Sequence, residues 1–551
     1  MHHLNQTASR DVQRRPFSVI RLFPIGSRVK LQLVRCLLAV FVWQVVCFAA
    51  ALADAPTVVL VHGENPDRRD ETARQRDAYR QIGMLRARIE SLSGLTCRVI
   101  PAARMERHDL SGDDVEAIVV VARPSGQHDD SSARITRLIR DTDKPLLALD
   151  AGVEQLCLVY GDASAGEATS LGESETPDSQ ETSETQPSQS FVEVRVRNQD
   201  RLFAGLPATM RLPKGDSPDK AAEADSLSDE LLLLAESREG HVLAVKHKTR
   251  PVYGVQFHPG RHTYVQTDGR VLLSNFFRIA GVDIERTVPL FLEALRSKSR
   301  EGLDGLHETP EELRTVDHPV VCGVDMEDPA VIRKSMEQPA GPRWSDKLAR
   351  FRTRMKELSG VPCMVVHYTQ ISREDFTNPN LRAIIVMGQA GQTVEPLSWE
   401  TVAVIRETDK PMLGICRGHQ LIGEAFGSTV ARMRRLRPGE ADPAPSYTPG
   451  FFKETGFMTV HVRRPDTLFD GLGDAPMVKQ SHSAEVKQLP PDFVLLAGTA
   501  NCAIESMKHR RRILYGVQFH PESYDDEHVD GRTLLGNFFR IAGLAARDGS
   551  D

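Results

Sequence analysis

Lys410–Gly427 reads KPMLGICRGHQLIGEAFG, and this stretch decides the fold. Met412, Leu413 and Ile415 open it as an apolar, strand-like run. The chain then turns through Gly414-Ile415-Cys416-Arg417-Gly418 and continues with helical periodicity at Leu421, Ile422 and Phe426. A nucleophile flanked two positions away by glycines, at a strand-to-helix turn, has the pattern of an exposed, strained elbow. The glycines let strand and helix approach closely. A helix N-terminus favours negative charge, so the Cys416 thiol should ionise below the ordinary value of about 8.5. A cysteine on such a turn can also be a small buried hydrophobe. Catalysis needs a base, and Tyr515–Ser523, YGVQFHPES, offers His520.

The pair GICRGHQ and VQFHPES resembles the class I, triad-type glutamine amidotransferases, which include the amidotransferase parts of GMP synthase, anthranilate synthase and carbamoyl-phosphate synthase. The resemblance implies Cys416 as nucleophile, His520 as general base and acid, and Glu522 as the group that orients the imidazole. This is the division of labour of any cysteine triad. It also implies an oxyanion hole from the backbone N–H of Arg417 and the loop Met387-Gly388-Gln389-Ala390-Gly391. Each such donor contributes about 3–4 kcal/mol to transition-state stabilisation. Relatives carry Gly-Gly-Pro in that loop, whereas Gln389 stands here in place of the second glycine. Ser481-His482-Ser483-Ala484-Glu485-Val486 resembles the family's S-H-x-x-x-V strand, so Gln420, Ser481 and His482 are implied contacts to the amino-acid head of glutamine. A satisfied strand-end histidine is the plainer account of His482.

Comparing the chain with itself reveals a tandem repeat. TDKPLLALDAG (Thr142–Gly152) matches TDKPMLGICRG (Thr408–Gly418), and SLSGLTCRVI (Ser91–Ile100) matches ELSGVPCMVV (Glu357–Val366). YGVQFHPG (Tyr253–Gly260) matches YGVQFHPE (Tyr515–Glu522), and LLSNFFRIAG (Leu272–Gly281) matches LLGNFFRIAG (Leu534–Gly543). The chemistry is not repeated. Asp150 stands where Cys416 would be, Glu154 replaces Gln420, and Gly260 replaces Glu522; only His258 remains. An aspartate acyl transfer would pass through a labile anhydride, so the first copy is expected to pack or bind rather than react. In each copy apolar, β-branched runs (Thr57–Val61 and Ala117–Val121; Pro319–Val324 and Ala383–Met387) alternate with helical segments (Tyr79–Ser91; Trp344–Ser359). The expected fold is α/β: two tandem class I glutamine amidotransferase-like domains, each a mostly parallel sheet flanked by helices. The expected domains are 54–296 and 318–551, joined by a charged linker, 297–317. Residues 162–190, rich in Ser, Thr, Glu and Gln and poor in apolar residues, are expected to be a disordered acidic insertion.

The N-terminal 53 residues read as an address. Arg10, Arg14, Arg15, Arg21, Arg28, Lys30 and Arg35 precede the apolar run Cys36–Ala50 and then Ala51-Leu52-Ala53. A charged region, an apolar region and an A-x-A site make a signal peptide or an anchor. The apolar run is short of the about 20 residues a membrane span needs. The expected location is therefore periplasmic, secreted or membrane-anchored, with membrane contact only through this segment, and cytoplasmic if the true start lies downstream. Outside the cell a reactive Cys416 would have to stay reduced.

The 551 residues suggest about three or four domains by length alone. Apolar content of 40% and charged content of 26% are globular values, and a net charge of −6 carries no nucleic-acid footprint. No Cys-x-x-Cys or His-rich spacing indicates metal, and the triad chemistry needs no cofactor. The expected substrate is glutamine or another γ-glutamyl amide. Neither a P-loop nor a Ser-Gly-Gly-x-Asp motif is present, so any ammonia acceptor would be a separate synthetase subunit. Two alternatives stand beside this reading. Arg417 in GICRG resembles the γ-glutamyl hydrolase branch, which passes nothing on, and both copies could be silent binding modules.

Overall fold

The computed structural model describes residues 55–63, 73–106, 108–122, 130–161, 190–215, 227–338, 343–389, 395–445 and 447–544. The proposed N-terminal address and nearly all of the acidic insertion lie outside them. Among the described residues no helix is long and apolar enough to cross a membrane.

The first copy builds a nine-stranded sheet from β1 (Thr57–His62), β2 (Thr96–Pro101), β3 (Val115–Ala122), β4 (Leu146–Asp150), β5 (Phe191–Val196), β6 (Thr209–Pro213), β7 (Leu231–Glu236), β8 (Val242–His247) and β9 (Val252–Val255). Their order is β2-β1-β3-β4-β9-β8-β7-β5-β6. The first five run parallel, and the remaining strands extend the sheet antiparallel. The second copy repeats the plan with β10 (Val320–Asp325), β11 (Cys363–His367), β12 (Leu381–Val386), β13 (Met412–Ile415), β14 (Val430–Arg432), β15 (Glu454–Thr459), β16 (His461–Val462), β17 (Met477–His482), β18 (Ala484–Val486), β19 (Phe493–Gly498), β20 (Ser506–His509) and β21 (Leu514–Val517). Its eight-stranded sheet runs β11-β10-β12-β13-β21-β20-β19-β16, and β14–β18 and β15–β17 form separate ribbons.

The parallel strands are unbroken apolar runs because both faces are covered. Val58 and Leu60 enter the core on one side of the first sheet, and Val59 and Val61 the core on the other, as the strand period of two requires. Val321 and Val324 divide in the same way between the two cores of the second sheet. The repeated NFFRIAG segment has a matching use in each copy. Phe276, Phe277, Phe538 and Phe539 are fully buried, each stabilising by about 1.5–3 kcal/mol. Beside them, Asn275 Nδ2 donates to the carbonyls of Leu202 (3.0 Å) and Ala204 (2.8 Å), and Asn537 Nδ2 to those of Leu468 and Asp470 (both 2.9 Å).

The expected linker is more structured than its charge suggests. The helix Ile284–Arg300 runs into it, and a capping box at Thr309 and Glu312 starts the short helix Pro310–Thr315. Leu303 and Leu313 are buried in the cores of the second copy. His307 Nε2 bonds Asp325 Oδ2 at 2.9 Å, and the Val365 N–H donates to Glu308 Oε2 at 2.6 Å. Two isolated leucines and a few polar anchors are enough to fasten a segment that composition marks as solvent-facing.

The copies also touch. Tyr264 Oη shares a hydrogen bond with Ser398 Oγ at 2.8 Å and stacks edge-on against Trp399. The Arg270 guanidinium lies 4.5 Å above the Trp399 ring, and Arg88 Nε donates to Glu395 Oε1 at 2.8 Å. All of these grip the helix Glu395–Glu407, which follows the Gly388–Gln389 loop in sequence.

Candidate active site

Strand β13 lies between β12 and β21 in the middle of the second sheet, and Cys416 follows its last residue. The helix Arg417–Ala425 starts immediately afterwards, with Cys416 at its N-cap position, φ 51° and ψ −102°. Positive φ is costly for a side chain with a Cβ, by about 1–3 kcal/mol. Close packing explains how the turn is held. A Cβ on Gly414 would lie 2.6 Å from the Gly418 carbonyl carbon, and one on Gly418 would lie 2.1 Å from the Val386 carbonyl oxygen. The Cys416 N–H donates to the Val517 carbonyl (2.8 Å), tying the elbow to β21.

Strand β21 then delivers His520. Its N–H donates to the Lys479 carbonyl on β17 (2.8 Å), and its Nδ1 bonds Glu522 Oε1 at 2.8 Å. Burial opposes the imidazolium, but Glu522 and then the Cys416 sulfur outweigh it and raise the His520 pKa well above the usual value. Burial likewise raises the Cys416 thiol, but the charge of His520 and a hydrogen bond from it reverse the sign, leaving the thiol below its ordinary value. The arrangement favours a thiolate–imidazolium pair at neutral pH. Gly388 closes over that pair. A Cβ there would meet His520 Cε1 at 2.8 Å and Cys416 Cβ at 3.2 Å, so only glycine fits without moving the reacting groups. Gly388 and Gln389 end the described part of the oxyanion loop, and Ala390 and Gly391 fall outside it.

The expected substrate contacts are placed differently from one another. Gln420 is buried, and its amide nitrogen donates to the Ala484 carbonyl (3.1 Å) and to Gln518 Oε1 (3.2 Å). His482 is buried with both ring nitrogens engaged, Nδ1 with the Ala484 carbonyl and Nε2 with Glu454 Oε2, each at 3.1 Å. Burial works against its protonation, but Glu454 and Glu505 prevail and push its pKa up to about 10. These two side chains therefore brace the protein behind the nucleophile. Ser481, one residue earlier on β17, is exposed, as strand alternation requires. The Arg417 side chain turns away to Glu424 Oε2 at 2.9 Å. Gln518, which the motif reading passed over, donates to Cys416 Sγ at 3.6 Å. Its presence in both YGVQFHP repeats was the available signal.

The first copy keeps the frame without these groups. Asp150 follows the same path at φ 62°. Gly260 replaces the acid, and a Cβ there would lie 2.5 Å from Leu85 Cδ1. Arg88 grips the Gly260 carbonyl as Arg354 grips that of Glu522.

The class I glutamine amidotransferase model matches residues 76–280 and again 351–542. The chain belongs to this family. Among its relatives, a glutamine-hydrolyzing GMP synthase subunit of Pyrococcus abyssi is 39% identical over 137 residues, which cover 25% of this chain and 63% of that protein. The corresponding subunit of Methanococcus maripaludis is 35% identical over 185 residues, 34% of this chain and 86% of that one. A solved structure described as a GMP synthase subunit protein of Thermoplasma acidophilum is 26% identical, covers 41% of this chain and 96% of its own, and has a TM-score of 0.32. As an amidotransferase family member the chain carries two copies of the family domain.

Proposed function

We propose that the second copy hydrolyses the γ-carboxamide of glutamine through a Cys416 thioester and releases ammonia. The thiolate attacks the γ-carbonyl, and the oxyanion draws on the Arg417 N–H and the Gly388–Gln389 backbone. The His520 imidazolium passes its proton to the departing ammonia. Neutral His520, oriented by Glu522, then takes a proton from the water that resolves the thioester. The observation that carries this reading is the meeting of Cys416 and His520 at Gly388, with His520 Nδ1 held by Glu522 at 2.8 Å. The relatives named as subunits of glutamine-hydrolyzing GMP synthase support delivery of ammonia to a separate synthetase subunit. The first copy we read as a non-catalytic partner domain.

The test is ammonia and glutamate release from glutamine and from a panel of γ-glutamyl amides, with Cys416→Ala as control. Turnover of glutamine alone supports the proposal, and turnover of the other amides moves the protein to the hydrolase branch. A glutamine-mimicking electrophile that fails to label Cys416 in folded, reduced protein would leave a binding module.

A further inference from the structure

Behind the nucleophile, four potential metal ligands from separate parts of the second copy converge. Glu454 opens β15, His482 ends β17, Cys502 lies in the turn after β19, and Glu505 precedes β20. All four are buried, and one donor atom of each lies within 4.8 Å of every other. Donors bound to a zinc-type ion at about 2.0–2.3 Å stand at most about twice that distance apart, so a small side-chain contraction would close the set.

The outer contacts point the donors inward. Thr499 Oγ1 donates to Glu454 Oε1 at 2.6 Å, leaving Oε2 to face His482. Gln480 Nε2 donates to Glu505 Oε2 at 2.8 Å, and the Ala484 carbonyl holds His482 Nδ1, leaving Nε2 inward. Outer-shell bonds of this kind fix ligand orientation in metal sites. Glu505 Oε1, fully buried, has no hydrogen-bond partner and lies 3.5 Å from His482 Nε2.

The first copy shows that the fold does not need this acid. The Gln518 N–H donates to the Glu505 carbonyl (2.7 Å), and the Gln256 N–H to that of Leu243 (2.9 Å), so Leu243 holds the equivalent place. It is buried in the first core.

We propose that Glu454, His482, Cys502 and Glu505 form a structural site for one divalent transition-metal cation of the zinc type. A Cys-His-carboxylate set suits such an ion better than a hard cation. Binding displaces to solvent the protons that the cluster holds at His482 Nε2 and on the Cys502 thiol. Because β17 also presents the Lys479 carbonyl to His520, the ion would fasten the strand that supports the catalytic imidazole.

The test is metal analysis of the reduced full-length protein, followed by Co2+ loading of the metal-free form. We expect one ion per chain and a visible Co2+ spectrum with a thiolate charge-transfer band. Cys502→Ser should remove that band, and Glu505→Leu should weaken Co2+ binding by more than about 100-fold. Cys416→Ala should keep both, which separates this site from the catalytic thiol. Folded protein, checked by circular dichroism, that takes up no Co2+ would overturn the proposal. So would binding that survives Glu505→Leu but is lost in Cys416→Ala.

Discussion

Asp150 and Cys416 occupy the same turn, at φ 62° and 51°, yet the groups gathered around them differ. The elbow is thus a property of the surrounding glycines and strands and survives without a nucleophile. What differs is the chemistry attached to it. Around Cys416 stand Gly388, His520 and Glu522; the matching places in the first copy hold Ala122, His258 and Gly260. The strain is inherited with the fold, while the reactivity depends on three or four side chains.

The sharpest way to break this comparison is to treat the two elbows alike. Cys416→Ala should lower glutaminase kcat by about four orders of magnitude or more, while Asp150→Ala should leave it unchanged. Loss of activity on changing Asp150, measured by ammonia release, would mean that the first copy reacts after all.

Making the second copy resemble the first at its acid comes next. Glu522→Gly should lower kcat about 10²- to 10⁴-fold. It should also bring the His520 pKa down, because Glu522 is the leading group that raises it. The sign can be read from iodoacetamide alkylation of Cys416. In the wild type the thiol pKa is depressed, so the inflection of the alkylation rate should lie below that of an ordinary cysteine. Loss of the Glu522 charge by itself would lower the thiol, but the His520 charge is the larger influence. In Glu522→Gly the imidazolium is lost at lower pH, so the inflection should move upward.

Gly388→Ala copies Ala122 into the second site. Its Cβ would press on His520 Cε1 at 2.8 Å, and a displacement of this kind costs up to about 10²-fold in kcat. Thermal stability should change much less, and an unchanged kcat would remove Gly388 from the site. The smallest effect is expected at the contact between copies. Tyr264→Phe loses the bond to Ser398 and should cost about 1 kcal/mol in a denaturation experiment, with kcat untouched.

The sequence made the elbow, the parallel strands and the duplication legible because each is written in neighbouring residues: LLALD and MLGIC as strands, the flanking glycines as turns. It was less informative about polar side chains. Gln420 and His482 lie in motifs that imply substrate contact, but whether a buried amide or imidazole faces a ligand or its neighbours depends on strands far away in the chain. The Glu454–Glu505 cluster was invisible for the same reason, since its members belong to different elements and a lone acid in sequence looks like surface. The packing of the linker was not legible because Leu303 and Leu313 are too few to form a periodic pattern.

The grip of Arg88, Tyr264 and Arg270 on Glu395–Glu407 makes the second copy dependent on the first for cover. The first copy has exchanged its acid for Gly260 and uses Arg88 to join that carbonyl to Glu395 of its sister. Deleting the first copy would strip the aromatic and ionic cover from Trp399 and Glu395. The two copies are therefore not interchangeable halves: one serves as the cover for a helix of the other.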